Sequence, residues 1–152
     1  MHIREIAHGD AELLGGFFES LAADPAADRF RPHPLTAEYA EQLVDGVGSR
    51  KDRYFIALEG EELLGYGMLR GWDESYEIPA FGVAVAPTAR GKGVGRSLMR
   101  YALDVAREVG ATSVMLKVHP DNADAKHLYE SEGFVFDSLA EDGVQLKGTV
   151  LL

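Results

Sequence analysis

Three glycines interleave with cations in the run Arg90-Gly91-Lys92-Gly93-Val94-Gly95-Arg96. Glycines leave backbone N–H groups unscreened, and a helix that begins among them offers amides with no partner inside the helix. With about half a positive charge at that end, the run suits an anion such as a phosphate. Its spacing departs from two commoner phosphate loops. Gly91-Lys92 leads to Gly93 where a P-loop has Ser or Thr, and the third residue after the second glycine is Arg96 or Leu98 where a dinucleotide fingerprint has glycine. A Rossmann-type nucleotide binder is therefore disfavoured. Further along, Asn122 and Tyr129 stand seven residues apart, two helical turns and about 10 Å, with the small Ala125 between them on the same face. Singly, each has an ordinary explanation as helix cap, helix former and amphipathic core residue.

Together the two runs resemble the signatures of the GNAT family of N-acetyltransferases. The first signature, Gln/Arg-x-x-Gly-x-Gly/Ala after a strand, reads here Arg90-Gly91-Lys92-Gly93-Val94-Gly95; the second, Asn-x-x-Ala-x-x-Leu-Tyr followed by Gly-Phe, is met by Asn122, Ala125, Leu128-Tyr129 and Gly133-Phe134. Their order, with a helix and a strand between them, carries the resemblance over roughly residues 54–136. It implies an α/β fold of the α+β kind: a mixed, mostly antiparallel sheet of six or seven strands with flanking helices, whose fourth and fifth strands run parallel and part as a wedge. It also implies acetyl-CoA as co-substrate and no metal. The backbone of Val83 and Val85 would bind the acetyl and pantetheine groups, and the N–H groups of Gly91, Lys92, Gly93, Val94, Gly95 and Arg96 the pyrophosphate. Arg90 would shape the loop, Asn122 would bond the pantetheine amides, and Ala125 would leave room for that arm.

The implied reaction is attack of a neutral primary amine on the thioester. An alkyl amine is almost wholly protonated at pH 7, so a base must take its proton, and the departing thiolate must gain one. Tyr129 is the matching family acid. Glu77 is the first candidate base, sharing strand parity with Phe81 and Val83 if the strand starts there, although Pro79 can upset that parity; His119 is the alternative. The acceptor is a small amine (amino sugar, polyamine or amino acid) or a protein N-terminus. The cluster Asp73, Glu74 and Glu77, with Trp72 and Tyr76, favours a cationic one if it faces the substrate; otherwise it is an exposed acidic turn with Trp72 folded onto the neighbouring hairpin. A non-catalytic acetyl-CoA sensor is the competing reading.

The elements that must position these residues are legible from periodicity. Residues 2–7 alternate weakly as a first strand, and Asp10 stands where a helix cap belongs. Leu13, Leu14, Phe17, Phe18 and Leu21 follow at helical spacing, interrupted by Gly15 and Gly16 at about 1 kcal/mol each. A proline-rich loop carrying Arg29, Phe30, Arg31 and His33 leads to a second helix over residues 36–47. Residues 53–58 and 63–69 read as a hairpin. Phe81, Val83 and Val85 alternate in a strand that Pro87 ends, and residues 94–109 form an amphipathic helix closed by Gly110. A β-branched strand at 112–118 then implies a right-handed crossover between parallel neighbours. The tail reads as a closing hairpin that walls the acceptor site or pairs across a homodimer.

Composition sets the bounds. At 152 residues, 46% of them apolar, one domain over residues 1–152 has enough chain for a proper core. The absence of cysteine excludes disulfides and a thiol nucleophile and accords with the cytoplasm; the five histidines form no HxxxH pair. A net charge of -10 argues against nucleic acid, and no window suits a membrane span. Against that acidic background Arg90, Lys92, Arg96 and Arg100 reverse the sign locally, as a polyanionic cofactor requires.

Overall fold

Gly60, at a left-handed φ of 60°, turns strand β2 (Arg53–Glu59) back into β3 (Glu62–Arg70). The computed structural model describes residues 1–152. Successive side chains of a strand point to opposite faces, and in β2 both faces are apolar: Tyr54, Ile56 and Leu58 enter one core, Phe55 and Ala57 the other. Such a strand must be covered on both sides. Helices α1 (Ala11–Ala23) and α2 (Ala37–Asp45) cover the first face, and α3 (Val94–Glu108) the second.

The remaining strands are β1 (His2–Glu5), β4 (Ala80–Val85), β5 (Ser113–Val118), β6 (Val135–Leu139) and β7 (Leu146–Leu151), with α4 (Ala123–Ser131) between β5 and β6. They form one seven-stranded sheet in the order β1-β2-β3-β4-β5-β7-β6, antiparallel throughout except for the β4/β5 pair. The expected mixed sheet, parallel pair and closing hairpin are all present.

The two glycines of β3 have a packing reason. A Cβ on Gly65 would lie 2.9 Å from both Leu98 and Val94 of α3, and one on Gly67 would lie 3.6 Å from Leu98. The helix rests on β3 because β3 has no side chains there. Gly15 plays the same part in α1, where a Cβ would come within 3.1 Å of the Ala37 backbone of α2.

Two local expectations need correction. Asp10 occupies the N-cap position of α1 but makes no cap bond; its carboxylate takes a bidentate pair from Arg4 (2.7 and 2.9 Å) and the Ala7 amide (2.7 Å), and these bonds hold its pKa below the usual carboxylate range. The second helix is shorter than the periodicity suggests, ending at Asp45, with Thr36 outside it as a cap on the Tyr39 amide at 3.1 Å. No helix is long and apolar enough to cross a membrane, and no group of three His, Asp or Glu side chains is placed to hold a metal.

Candidate functional site

β4 and β5 are joined by one register pair, Ala80 with Met115, and by the Met115 amide donating to the Pro79 carbonyl at 3.0 Å. Beyond that point the ladder stops although both strands continue, so they diverge toward their C-terminal ends. Amides alternate sides along a strand. Since the Ala86 amide donates to Leu64 of β3 at 2.8 Å, the amides of Ala84 and Gly82 also face β3, while those of Val83 and Val85 face the gap. A strand edge that is open inside a sheet exposes polar groups that an extended ligand with amides of its own would satisfy.

The gap leads to the glycine-rich turn. Gly91 and Gly93 take φ of 76° and 82°, and Gly93 is the N-cap of α3. None of the amides of residues 91–96 donates to another protein group. A Cβ at Gly91 or Gly93 would meet nothing within 4 Å, while one at Gly95 would touch Val85 at 3.7 Å. The first two glycines therefore serve the backbone conformation, and the third admits β4 to the helix.

The expected surplus of positive charge is smaller than the count of cations suggests. Arg90 donates to Asp24 (2.7 Å), and Arg96 and Arg100 share Glu132 (2.6 and 2.9 Å), with Arg96 also reaching Ser131 at 3.2 Å. Lys92 alone has no carboxylate partner. The field at the turn thus comes chiefly from open amides, the helix end and Lys92.

On the other lip, Asn122 caps α4, its side-chain oxygen accepting from the Ala125 amide at 3.4 Å, which leaves its NH2 group free to donate outward. Ala125 and Tyr129 are half-buried on the same helix, and Tyr129 packs edge-on against Phe134 at 6.0 Å. Burial alone pushes the Tyr129 phenol up to about 12.

Glu77 departs from its expected position. β4 begins only at Ala80, Glu77 lies in an exposed bend before it, and Pro79 sits where the two strands are joined. Parity within a strand therefore does not apply to Glu77, and five residues of chain separate it from Val83. Asp73 is engaged elsewhere: its carboxylate accepts from the amides of Lys51 (2.8 Å) and Asp52 (3.1 Å), while buried Asp52 accepts from Gly71 and Asp73. Trp72 packs into the core on the α3 side. The acidic turn follows its ordinary explanation.

His119 directly follows β5, four residues past Met115. Asp121 and Asp142 flank it. Asp142 is held down to about 2, first by the Gln145 side chain and by the Val144 and Gln145 amides, with a smaller contribution from His119.

Above the α1/α2 face runs the segment between α1 and α2. His33 anchors it: Nδ1–H donates to the Pro34 carbonyl (2.8 Å), so Nε2 accepts from the Tyr66 hydroxyl (2.9 Å), and the ring stacks on Tyr39 at 4.3 Å. Burial lowers the pKa of His33 and raises that of Tyr66. The pairings of Asp24 with Arg90 and of Arg29 with Asp121, which tie this segment to the two turns, are not legible in the sequence because partners 66 and 92 residues apart leave no local pattern.

The model of the acetyltransferase (GNAT) family matches residues 17–134. Streptothricin acetyltransferase of Streptomyces lavendulae is 40% identical over 167 residues, covering 96% of this chain and 86% of that protein. Mycothiol acetyltransferase of Rhodococcus jostii is 36% identical over 129 residues, covering 82% of this chain; the chain spans only 42% of that protein's length. Among solved structures, ribosomal-protein-alanine N-acetyltransferase from Brucella melitensis superposes with a TM-score of 0.79 at 21% identity over the whole of both chains, a likeness of fold.

Proposed function

The chain belongs to the GNAT family of acetyltransferases and transfers acetyl from acetyl-CoA to an amine, and within that reaction we propose that its acceptor is a small, cationic primary amine. The observation that carries the reading is the divergence of β4 from β5 after one pair, with the open amides of residues 91–96 at its wide end. We assign the pyrophosphate to Gly91, Lys92, Gly93, Val94, Gly95 and Arg96, and the pantetheine and acetyl groups to the amides of Val83 and Val85 and to Asn122. Arg90 holds the turn, and Ala125 keeps the arm's path clear.

In the reaction, the amine nitrogen bonds to the thioester carbon as the C–S bond breaks; one proton leaves the nitrogen and one reaches sulfur. Of the two candidate bases we place His119 first, because it follows the C-terminal end of β5, where the gap is open, whereas Glu77 precedes the paired end of β4. We assign Tyr129 to the departing sulfur. A phenol at about 12 lies about 3.5 units above a thiol of pKa about 8.5, so full proton transfer from it costs about 5 kcal/mol. It therefore stabilises the thiolate by hydrogen bonding, and the amine's own proton completes the balance.

Similarity to streptothricin acetyltransferase over nearly the whole chain makes streptothricin the first acceptor to supply, and a net charge of -10 favours a cation. A cysteine-free chain accords with work in the cytoplasm. The test is release of CoA thiol from acetyl-CoA, with streptothricin, polyamines, amino sugars, amino acids and short peptides supplied in turn. The protein adds no thiol background. Release that depends on a cationic small amine is expected; release only with peptides or neutral amines would overturn the acceptor assignment.

A further inference from the structure

We propose that Asp24 and Arg29 are positioning residues for this transfer: the segment between them is a strap across the wide end of the β4/β5 gap, and its two ion pairs set the spacing of the lips that hold acetyl-CoA. The inference rests on the cofactor assignment above. Asp24 binds Arg90, on the turn that follows β4, at 2.7 Å; Arg29 binds Asp121, on the turn that follows β5. Those two turns lie beyond the point where the β4/β5 ladder has ended, so no strand hydrogen bond fixes their separation. On the α3 side, Glu132 already ties Arg96 and Arg100 of α3 to the end of α4. The strap is the matching tie on the α1/α2 side.

The strap is stiff enough to pass on a displacement. Asp24 accepts from the Ala26 amide at 3.0 Å through its other carboxylate oxygen, Pro25 fixes the next φ, and residues 25–27 form a 3-10 turn. The Ala27 carbonyl accepts from the Phe30 amide (3.0 Å) and from Arg31 (2.9 Å), and Ala27 itself is buried against α1 and the sheet. Arg29 and Asp121 are more than half exposed, so their pair adds little to folding. Its consequence is local, at the mouth of the gap.

Charge alone and positioning predict opposite signs for Asp121→Arg and Asp24→Asn. CoA is a polyanion, so Asp121→Arg and Asp24→Asn, which remove negative charge near its path, would tighten acetyl-CoA if only the field mattered, and Arg29→Asp would weaken it. A strap requires all three to weaken it. Acetyl-CoA affinity by calorimetry, with KM and kcat, is measured for these variants and for the charge-swapped Arg29→Asp/Asp121→Arg double variant. We expect each single variant to lose affinity by about three- to five-fold, with kcat nearly kept in Asp24→Asn, which lies away from His119, and the double variant to return to within about two-fold of the parent affinity. Asp24→Asn keeps the side chain's shape, so folding does not confound it. Opposite signs for Asp121→Arg and Arg29→Asp, wild-type affinity in all three, or no recovery in the swap overturns the strap. A parent protein that binds no acetyl-CoA overturns the cofactor assignment instead.

Discussion

Ala80 and Met115 are the one register pair that joins β4 to β5; beyond them β4 stays paired with β3 and β5 with β7, and only their facing edges are left open. The site is thus a place where the sheet fails to close. Strand amides on one lip, a helix N-terminus at the end and the α4 cap on the other lip supply polar groups that the fold itself leaves unused. A ligand that completes those bonds fills the missing strand position.

Gly93 separates backbone strain from charge. It holds a φ of 82°, and a side chain there would meet nothing within 4 Å. Asn tolerates the left-handed region better than most residues, and Asp has nearly the same shape with a negative charge. Gly93→Asn is expected to weaken acetyl-CoA modestly, and Gly93→Asp at least about ten-fold more at low salt, a gap that narrows as salt screens it. Calorimetry at two ionic strengths decides; equal affinities for Asn and Asp would remove the pyrophosphate from this turn.

Gly65 links the fold to the site. An added methyl would lie 2.9 Å from side-chain methyls of both Leu98 and Val94 and 3.3 Å from the Ala84 carbonyl, and Leu98 is fully buried, so these side chains must repack or α3 must move. Gly65→Ala should cost about 1–3 kcal/mol in denaturant unfolding. Because Val94 is the first residue of α3, acetyl-CoA affinity should fall with it. Destabilisation with unchanged affinity would mean that the position of α3 does not govern the turn.

The elements and the glycine-rich turn were legible because they are local. The alternation at Phe81, Val83 and Val85, the spacing of Asn122 and Tyr129, and the β2/β3 hairpin each depend on residues close in the chain. The strand parity read for Glu77 does not hold because β4 starts three residues after it and Pro79 carries the junction with β5. The cation cluster misled for the opposite reason: Asp24 and Glu132, which neutralise Arg90, Arg96 and Arg100, are distant in sequence. Burial of His33 against Tyr66 is likewise a tertiary fact.

His119 and Glu77 can be told apart by substitution. Removing a general base typically costs about 10²- to 10⁴-fold. His119→Gln should lower kcat at least about 10²-fold while acetyl-CoA binding persists, and Glu77→Gln, altering an exposed bend, should stay within about three-fold of the parent. Steady-state kinetics with calorimetry checks both, and the reverse ranking would restore Glu77 as the base.

Tyr129 makes a prediction about pH. Its phenol is raised to about 12 by burial, so it stays protonated across the range in which the enzyme can be assayed, and its ionisation cannot produce an alkaline fall in kcat below about pH 11. Tyr129→Phe should lower kcat at least about ten-fold at every pH and leave the shape of the profile and the acetyl-CoA affinity unchanged. The same shift has a stability consequence of definite sign. Between about pH 10, where an unfolded tyrosine ionises, and 12, the unfolded chain gains more from losing this proton than the folded one, so folding stability declines as pH rises through that window. In Tyr129→Phe the decline should be shallower. An alkaline limb in kcat that vanishes in Tyr129→Phe would show instead that the phenol titrates during turnover.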